Sequence, residues 1–556
     1  MPLAPRLHSF PVDVRTTAEA PPRWLPVLCG LLASMAVILT LNGPGLTVDE
    51  PLDVRPGRNY LKILRQTGRR FLDRRVIDRV YRDNAEHPPL GRWLLGIASV
   101  VGEPFEILWK GPDPTGSYVL AGRLAPALAF GGLVAMIAGV GCRRLGRPAG
   151  LASAFALAAM PRVFAHAHLG ALDTFLALTW TSALLAGDRA LRCRRPSLAM
   201  IGAGAVWSLA LLTKIHAWFL LPILGVWSTW RLGVRRASVA MAGWGVTGVA
   251  IFWLGWPWLW HDSWERLTKY WDTGVERATI RVLYFGQVYA DRDVPWHYPW
   301  FYFAVTVPVG LHALGLFGAV QGWRNRRTEP LPVLLGASIL FFLVLFSTRV
   351  PVYDGERLFL HIFPAWALLA GLGFGRIYAR LSHVRLRQAL IGLLALQGLG
   401  VAFTYPFGLS HYNLLVGGLP GAERLGLEVT YWSDAIDDVL LDQLARAAAR
   451  ETSAAMVPTL YPGQGVLTTG FNRALARRGI VLADQEAALR AEWVVVSRRS
   501  AYWPDAWRTR RRDRHGQLVA TRTRQGVTLA ELWHFLPAQP SRPSAAATSP
   551  GPASSR

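Results

Sequence analysis

The sequence predicts an all-α polytopic membrane protein of about eleven spans, followed by a small C-terminal α/β domain outside the bilayer. Three observations predict it. The 556 residues are 52% hydrophobic, and the apolar residues gather into long runs at 25–41, 149–160, 198–212, 239–256, 301–320, 331–346 and 358–373. Soluble helices carry a polar stripe, and these runs do not. Short arginine clusters separate the runs, which is the pattern of membrane topology. Beyond Thr404 the composition turns mixed and polar.

The N-terminal tail, 1–23, carries Arg6, Arg15 and Arg23 ahead of the first apolar run. No small-x-small site follows that run, so it reads as an uncleaved first helix rather than a signal peptide. The net charge of +24, from 60 Lys and Arg against 36 Asp and Glu, does not point to nucleic acid. The arginines lie between apolar runs, where they set topology and meet anionic headgroups. The three cysteines, Cys29, Cys142 and Cys193, are too scattered for a disulfide framework and read as free thiols.

Cytoplasmic loops carry the Lys/Arg excess. Placing Arg143-Arg144-Arg147, Arg189-Arg192-Arg194-Arg195, Arg231-Arg235-Arg236, Arg324-Arg326-Arg327 and Arg376-Arg380-Arg385-Arg387 inside predicts spans at 24–42, 119–141, 149–164, 171–188, 198–213, 216–231, 238–256, 299–321, 331–348, 357–375 and 388–404. The N-terminus is then inside and everything after 404 outside. The long loop 43–118 is basic yet falls outside, and long loops escape the charge rule. Within it Tyr60 to Val80 reads as a basic amphipathic helix on the membrane surface. Leu90 to Val101, apolar but short, reads as interfacial or re-entrant. Trp253, Trp256, Trp258, Trp260 and Trp264 read as an interfacial aromatic belt. In 405–536, strands are expected at 454–460 and 493–497 with a helix at 472–478 between them. The Pro/Ser/Ala-rich tail, 537–556, is expected to be disordered.

Ionisable residues cluster at the outer ends of the spans. Asp49-Glu50 follows the first helix and offers a carboxylate base at the membrane surface. His87-Pro88-Pro89-Leu90 fixes an imidazole at headgroup level. Arg162, His166, His168 and Asp173 share one outer junction. The spacing of the two histidines admits a metal, but no further ligand follows at a suitable spacing, which favours a hydrogen-bond network. Lys214 stands between two apolar spans and calls for an anion. Arg349, Tyr353, Glu356 and Arg357 form another group; Arg357 pairs with Asp354 or Glu356, or grips a phosphate. No Walker loop or dinucleotide fingerprint is present. The predicted cytoplasmic loops are too short for a nucleotide sugar, so an activated donor has to come from the membrane. A carboxylate base beside several cations suits a hydroxyl acceptor and a lipid-phosphate leaving group.

In these motifs the chain resembles the family 39 glycosyltransferases of the GT-C membrane fold, which include protein O-mannosyltransferases and bacterial lipid A aminoarabinose transferases. The resemblance rests on Asp49-Glu50, His87-Pro88-Pro89-Leu90, Arg123-Leu124-Ala125-Pro126-Ala127-Leu128, and Pro161-Arg162-Val163-Phe164-Ala165-His166-Ala167-His168 with Asp173. It extends through Thr213-Lys214 and Tyr353-Asp354-Gly355-Glu356-Arg357, and through Ser410-His411-Tyr412-Asn413 to Tyr431-Trp432, covering about 24–435. It implies a polyprenyl-phosphate sugar donor, inverting transfer on the extracytoplasmic face of a membrane such as the bacterial inner membrane, and Asp49 as base. No large β-trefoil insertion like that of the eukaryotic O-mannosyltransferases interrupts the loops, which weighs against a protein acceptor; the acceptor class is lipid, glycan or protein. No metal or other cofactor is required, since Lys214, Arg357 and Arg162 supply cations for the phosphate; a divalent metal is compatible but not implied. The competing reading is a lipid or solute transporter without covalent chemistry, which requires ionisable groups near the bilayer midplane and broken central helices.

Overall fold

The computed structural model describes residues 22–82, 87–112, 117–275, 279–448, 455–456, 491–503, 505–512 and 516–535. The expected helix at 472–478, the tail 537–556 and most of the N-terminal segment lie outside the described residues.

Helices occupy every range read as a span, but several are shorter or broken. Among the described residues four helices are long and apolar enough to cross a membrane: Val119–Leu145, Val234–Gly255, Arg357–Arg380 and Val384–Thr404. A fifth span arises if Tyr298–Thr306 and Val309–Arg324, bent by 113° at their junction, count as one. Trp24–Leu39, Pro196–Leu211 and Leu331–Leu345 are shorter apolar helices. Proline accounts for two of the interruptions. Pro161 restarts a helix after Arg147–Ala158, and Pro308 sits at the sharp bend; proline removes a backbone donor and clashes with the preceding turn.

Arg357–Arg380 is the central element, with 94% of its apolar window buried, whereas Val384–Thr404 buries only 6%. The first is wrapped by protein; the second presents Leu386, Ile391, Leu393, Leu396 and Phe403 outward, as a lipid-facing helix does. Pro196–Leu211 and Val234–Gly255 pack through Trp207 and Trp244, whose rings stack at 3.8 Å. The tryptophans expected as a belt divide. Trp264 and Trp253 are exposed, while Trp256 and Trp258 are buried against Phe252, Tyr270 and each other. Ring-on-ring packing in the loop after Gly255 replaces the interfacial role expected of those two.

The first long loop also differs from expectation. Its leading helix begins at Asp49 rather than Tyr60 and ends at Thr67, where Gly68 takes φ 54°. A separate helix, Arg74–Val80, follows. Glycine reaches that left-handed region without the Cβ clash other residues meet, and it stops the helix there. The next helix, Leu90–Lys110, runs well past Val101, burying Arg92, Leu95 and Ser99 and exposing Val101, Phe105 and Leu108. The two helices cross glycine on glycine. A Cβ on Gly57 would meet the Arg92 carbonyl oxygen at 2.0 Å, and one on Gly96 would meet the Gly57 carbonyl carbon at 2.3 Å.

The C-terminal part carries a four-stranded sheet of β3 (Ala455–Met456), β4 (Trp493–Ser497), β5 (Gly516–Arg524) and β6 (Val527–Phe535), in the order β3-β4-β6-β5. The β3–β4 pair is parallel and the others antiparallel. β4 has the bounds expected from sequence; of the other expected strand only 455–456 are described, within β3. The β5–β6 hairpin was not read from the sequence, although Gln525-Gly526, both at positive φ, marks its turn. A further hairpin, β1 (Arg281–Tyr284) with β2 (Gln287–Ala290), rises from the loop before Tyr298.

Candidate active site

Asp49 and Asp173 are each the first residue of a helix, Asp49–Thr67 and Asp173–Ala190. Lys214 directly precedes the 3-10 turn Ile215–Phe219, and Arg357 opens another, Arg357–Ile362. The site is thus assembled at helix beginnings, where exposed backbone N–H groups favour carboxylates. Leu90 N–H donates to the Leu212 carbonyl at 3.0 Å, tying the His87-Pro88-Pro89 segment to the turn that carries Lys214.

Four of the expected residues form one linked cluster. Arg357 Nη2 donates to Asp49 Oδ2, Nε to Asp173 Oδ2 at 3.4 Å, and Nη1 to Asp354 Oδ2 at 3.0 Å. Lys214 Nζ donates to the other Asp173 oxygen at 2.6 Å. The guanidinium of Arg357 lies 3.9 Å from the centroid of the Trp432 ring and 5.9 Å from that of Tyr353. The side chains of Arg357, Asp173, Asp354 and Lys214 are nearly buried, whereas Asp49 keeps 27% of its side chain exposed. Asp49 is therefore the carboxylate of this cluster that solvent reaches. His87 is half-buried near Lys214, Arg357 and Asp173. Burial first, then the cations Arg92, Lys214 and Arg357, hold its imidazole well below the usual pKa of 6.5, so it is neutral at pH 7.

Glu50 has a different environment from its neighbour. It is fully buried, accepting from Arg123 Nε at 2.6 Å and Nη2 at 2.7 Å, from Gly170 N–H at 2.7 Å and from Thr47 N–H at 2.9 Å. Arg123 donates onward to the carbonyls of Leu41, Pro44 and Gly45. This pair fastens the turn after the first helix and so fixes the direction of Asp49. One turn along, Asp53 accepts from the buried Arg92 at 3.0 Å, clamping the same helix to Leu90–Lys110.

Arg162 lies beside the cluster but does not open into it. It is 2% exposed, donates to Glu356 Oε2 at 2.8 Å and to the His411 carbonyl at 2.9 Å, and sits over Tyr412. Arg349 is exposed and separate. His166 and His168 take different partners: Tyr431 Oη for the first, and Thr40 Oγ1 with the Phe164 carbonyl for the second. Burial lowers their pKa values to about 3 and about 4. Both are neutral members of a hydrogen-bond network. Among the described residues no group of three or more His, Cys, Asp or Glu is arranged to hold a metal ion.

Sequence reasoning missed Asp53, Arg92 and Arg499. The first pair had a usable signal, since Asp53 lies four residues after Asp49 on a helix and Arg92 two after Leu90. Arg499 had none; it comes from the polar C-terminal part and donates to Asp354 Oδ1 at 2.7 Å.

Residues 86–261 match the family model described as dolichyl-phosphate-mannose-protein mannosyltransferase. That segment holds His87, Arg162, Asp173 and Lys214, and stops short of Arg357. No curated protein matches the chain. Among solved structures, ArnT from Cupriavidus metallidurans bound to undecaprenyl phosphate is similar, at 17% identity over 91% of this chain and 97% of that one, with a TM-score of 0.47. The Archaeoglobus fulgidus oligosaccharyltransferase in its apo form is similar at 11% identity over 85% and 70%, with a TM-score of 0.44. The archaeal oligosaccharyltransferase AglB from Archaeoglobus fulgidus, in complex with an inhibitory peptide and a dolichol-phosphate, gives 11% over 85% and 69%, with a TM-score of 0.42. Across residues 86–261 this chain resembles the dolichyl-phosphate-mannose-protein mannosyltransferases.

Proposed function

We propose that the chain is an integral membrane glycosyltransferase that moves a hexosyl or pentosyl group from a polyprenyl-phosphate donor to a hydroxyl acceptor at the extracytoplasmic face of a membrane, with inversion. The observation that carries this reading is the cluster of Asp49, Arg357, Asp173 and Lys214, in which one partly exposed carboxylate stands beside two buried, fixed cations. The family match over residues 86–261 supports the same reaction class.

Asp49 takes the proton of the acceptor hydroxyl as its oxygen attacks the anomeric carbon. The bond from that carbon to the phosphate oxygen breaks, and the polyprenyl phosphate leaves as a monoester. Arg357 and Lys214 meet its growing charge; cations already held in place cost little reorganisation at that moment. Trp432 and Tyr353 flank Arg357 and restrict its rotation. Arg162 supports the turn through Glu356 and needs no direct contact with the donor. The donor chain lies among membrane lipids, and the acceptor is a lipid, a glycan or a protein. The transporter reading required ionisable groups at mid-span, and these groups stand at helix beginnings.

The test is direct. Purified protein is mixed with undecaprenyl-phosphate carrying labelled mannose, glucose or aminoarabinose and with a panel of hydroxyl acceptors. Transfer by the wild type that is lost in Asp49→Asn supports the reading. Equal transfer by both rejects it.

A further inference from the structure

Arg499 follows β4 and belongs to the C-terminal part of the chain, yet it is 2% exposed and reaches the active-site turn. Its Nη2 donates to Asp354 Oδ1 at 2.7 Å and its Nη1 to the Tyr431 carbonyl at 2.6 Å. The opposite oxygen of Asp354 accepts from Arg357, which also donates to Asp49. Four alternating charges therefore run in a line: Arg499, Asp354, Arg357, Asp49.

Asp354 does not hold its position by backbone preference. It sits at φ 56° and is followed by Gly355 at φ 65°, a left-handed pair that is unfavourable for a residue with a Cβ. Gly355 N–H donates to Tyr298 Oη at 2.9 Å, and a Cβ on Gly355 would meet Arg162 Nη1 at 2.7 Å. The turn is crowded and depends on its side-chain partners. Among the described residues the ion-pair partners of Asp354 are Arg499 and Arg357. Removing Arg499 leaves a buried carboxylate with Arg357 as its remaining cation. Such a carboxylate draws Arg357 towards itself, because an unpaired buried charge is costly.

We propose that Arg499 is a positioning residue: it neutralises Asp354, so that Arg357 stays engaged with Asp49 and remains available to the donor phosphate. The C-terminal part thereby completes the active site without touching substrate. This inference rests on the reading of Asp49 and Arg357 given above.

The experiment uses the full chain in detergent micelles and compares Arg499→Gln, Arg499→Lys, Asp354→Asn and the double variant Arg499→Gln/Asp354→Asn. The first readout is turnover with the undecaprenyl-phosphate sugar that the wild type accepts. Arg499→Gln is expected to lose at least about tenfold in kcat, within the range seen for charges that share a partner. Arg499→Lys is expected to keep more activity. The double variant is expected to return to the level of Asp354→Asn, because it buries no unpaired carboxylate. A purely structural role for Arg499 predicts the opposite, a double variant at least as impaired as Arg499→Gln.

The second readout needs no activity: a cryo-EM structure of Arg499→Gln, expected to show Arg357 turned from Asp49 towards Asp354. If Arg499→Gln does not fold, the double variant replaces it, and the Arg357–Asp49 contact is expected to persist there. Turnover of Arg499→Gln within about twofold of wild type, or an unmoved Arg357 in its structure, overturns the proposal. So does loss of the Arg357–Asp49 contact in the double variant. If the wild type transfers no sugar, the proposed function fails, and the structural readout still decides the role of Arg499.

Discussion

Glu50 and Asp49 are adjacent carboxylates with opposite consequences when neutralised. Glu50→Gln removes the charge that faces Arg123 while leaving the guanidinium in place. Arg123 is 4% exposed and Glu50 fully buried, so water cannot replace the lost partner. Breaking a buried pair from one side costs about 3–5 kcal/mol. Arg123 retains three backbone carbonyl acceptors, and the glutamine oxygen can still accept one of the N–H groups now bound by Glu50. The expected loss is therefore at the lower end, about 3 kcal/mol. The turn 40–48 should loosen with it. In Asp49→Asn the side chain is partly exposed and Arg357 keeps two further carboxylates, Asp173 and Asp354. Stability should change little, while turnover should fall by roughly 10²–10⁴-fold. Thermal unfolding in micelles, read by intrinsic fluorescence beside the transfer assay, separates the two. A Glu50→Gln protein with wild-type melting refutes the structural assignment of Glu50. A folded Asp49→Asn protein with near-normal turnover refutes base catalysis by Asp49.

Three further predictions follow from the same geometry. Lys214→Ala and Arg357→Ala should weaken binding of undecaprenyl phosphate as well as turnover, measured by lipid competition; Arg357→Ala should also lower the melting temperature, since it leaves three carboxylates short of a cation. Burial pushes Glu428 up to about 8 from 4.5, with Arg499 opposing. The folded state thus keeps a proton that the unfolded state releases, stability falls as pH rises from about 4.5 through about 8, and Glu428→Gln should flatten that part of the melting-temperature profile. Reporter fusions after Arg147, Arg195 and Arg327 should read as cytoplasmic and one after Tyr431 as the opposite face; a cytoplasmic Tyr431 contradicts the predicted orientation.

What was legible in the sequence followed from short-range rules. Apolar runs bounded by arginines located the helices, and the valine-rich run at 493–497 located β4, because both depend on neighbours a few residues apart. Two histidines with no further spaced ligand pointed to a hydrogen-bond network, and the partners of His166 and His168 match it. The same rules could not say which carboxylate meets which cation. Lys214 and Asp173 are separated by 41 positions and Asp49 and Arg357 by 308, and such pairings depend on how helices pack. They also grouped Glu50 with Asp49 by adjacency, whereas the structure gives the two carboxylates different partners, Arg123 for Glu50 and Arg357 for Asp49. A helix turns about 100° per residue, so neighbours at its start face different surroundings, one the open site and the other the protein interior.

The distribution of charge gives the site its character. Its buried cations are already paired with carboxylates, so a phosphate entering the site has to compete with Asp173 and Asp354 for Lys214 and Arg357. That competition avoids the cost of keeping bare cations at a membrane surface. Under the proposed function it also couples donor binding to Asp49, because the guanidinium that meets the phosphate already donates to Asp49, Asp173 and Asp354. In the pairing seen, Arg357 rests against Asp49; under the proposed function a donor phosphate shares that guanidinium with Asp49, which ties donor binding to the proposed base without any further moving part.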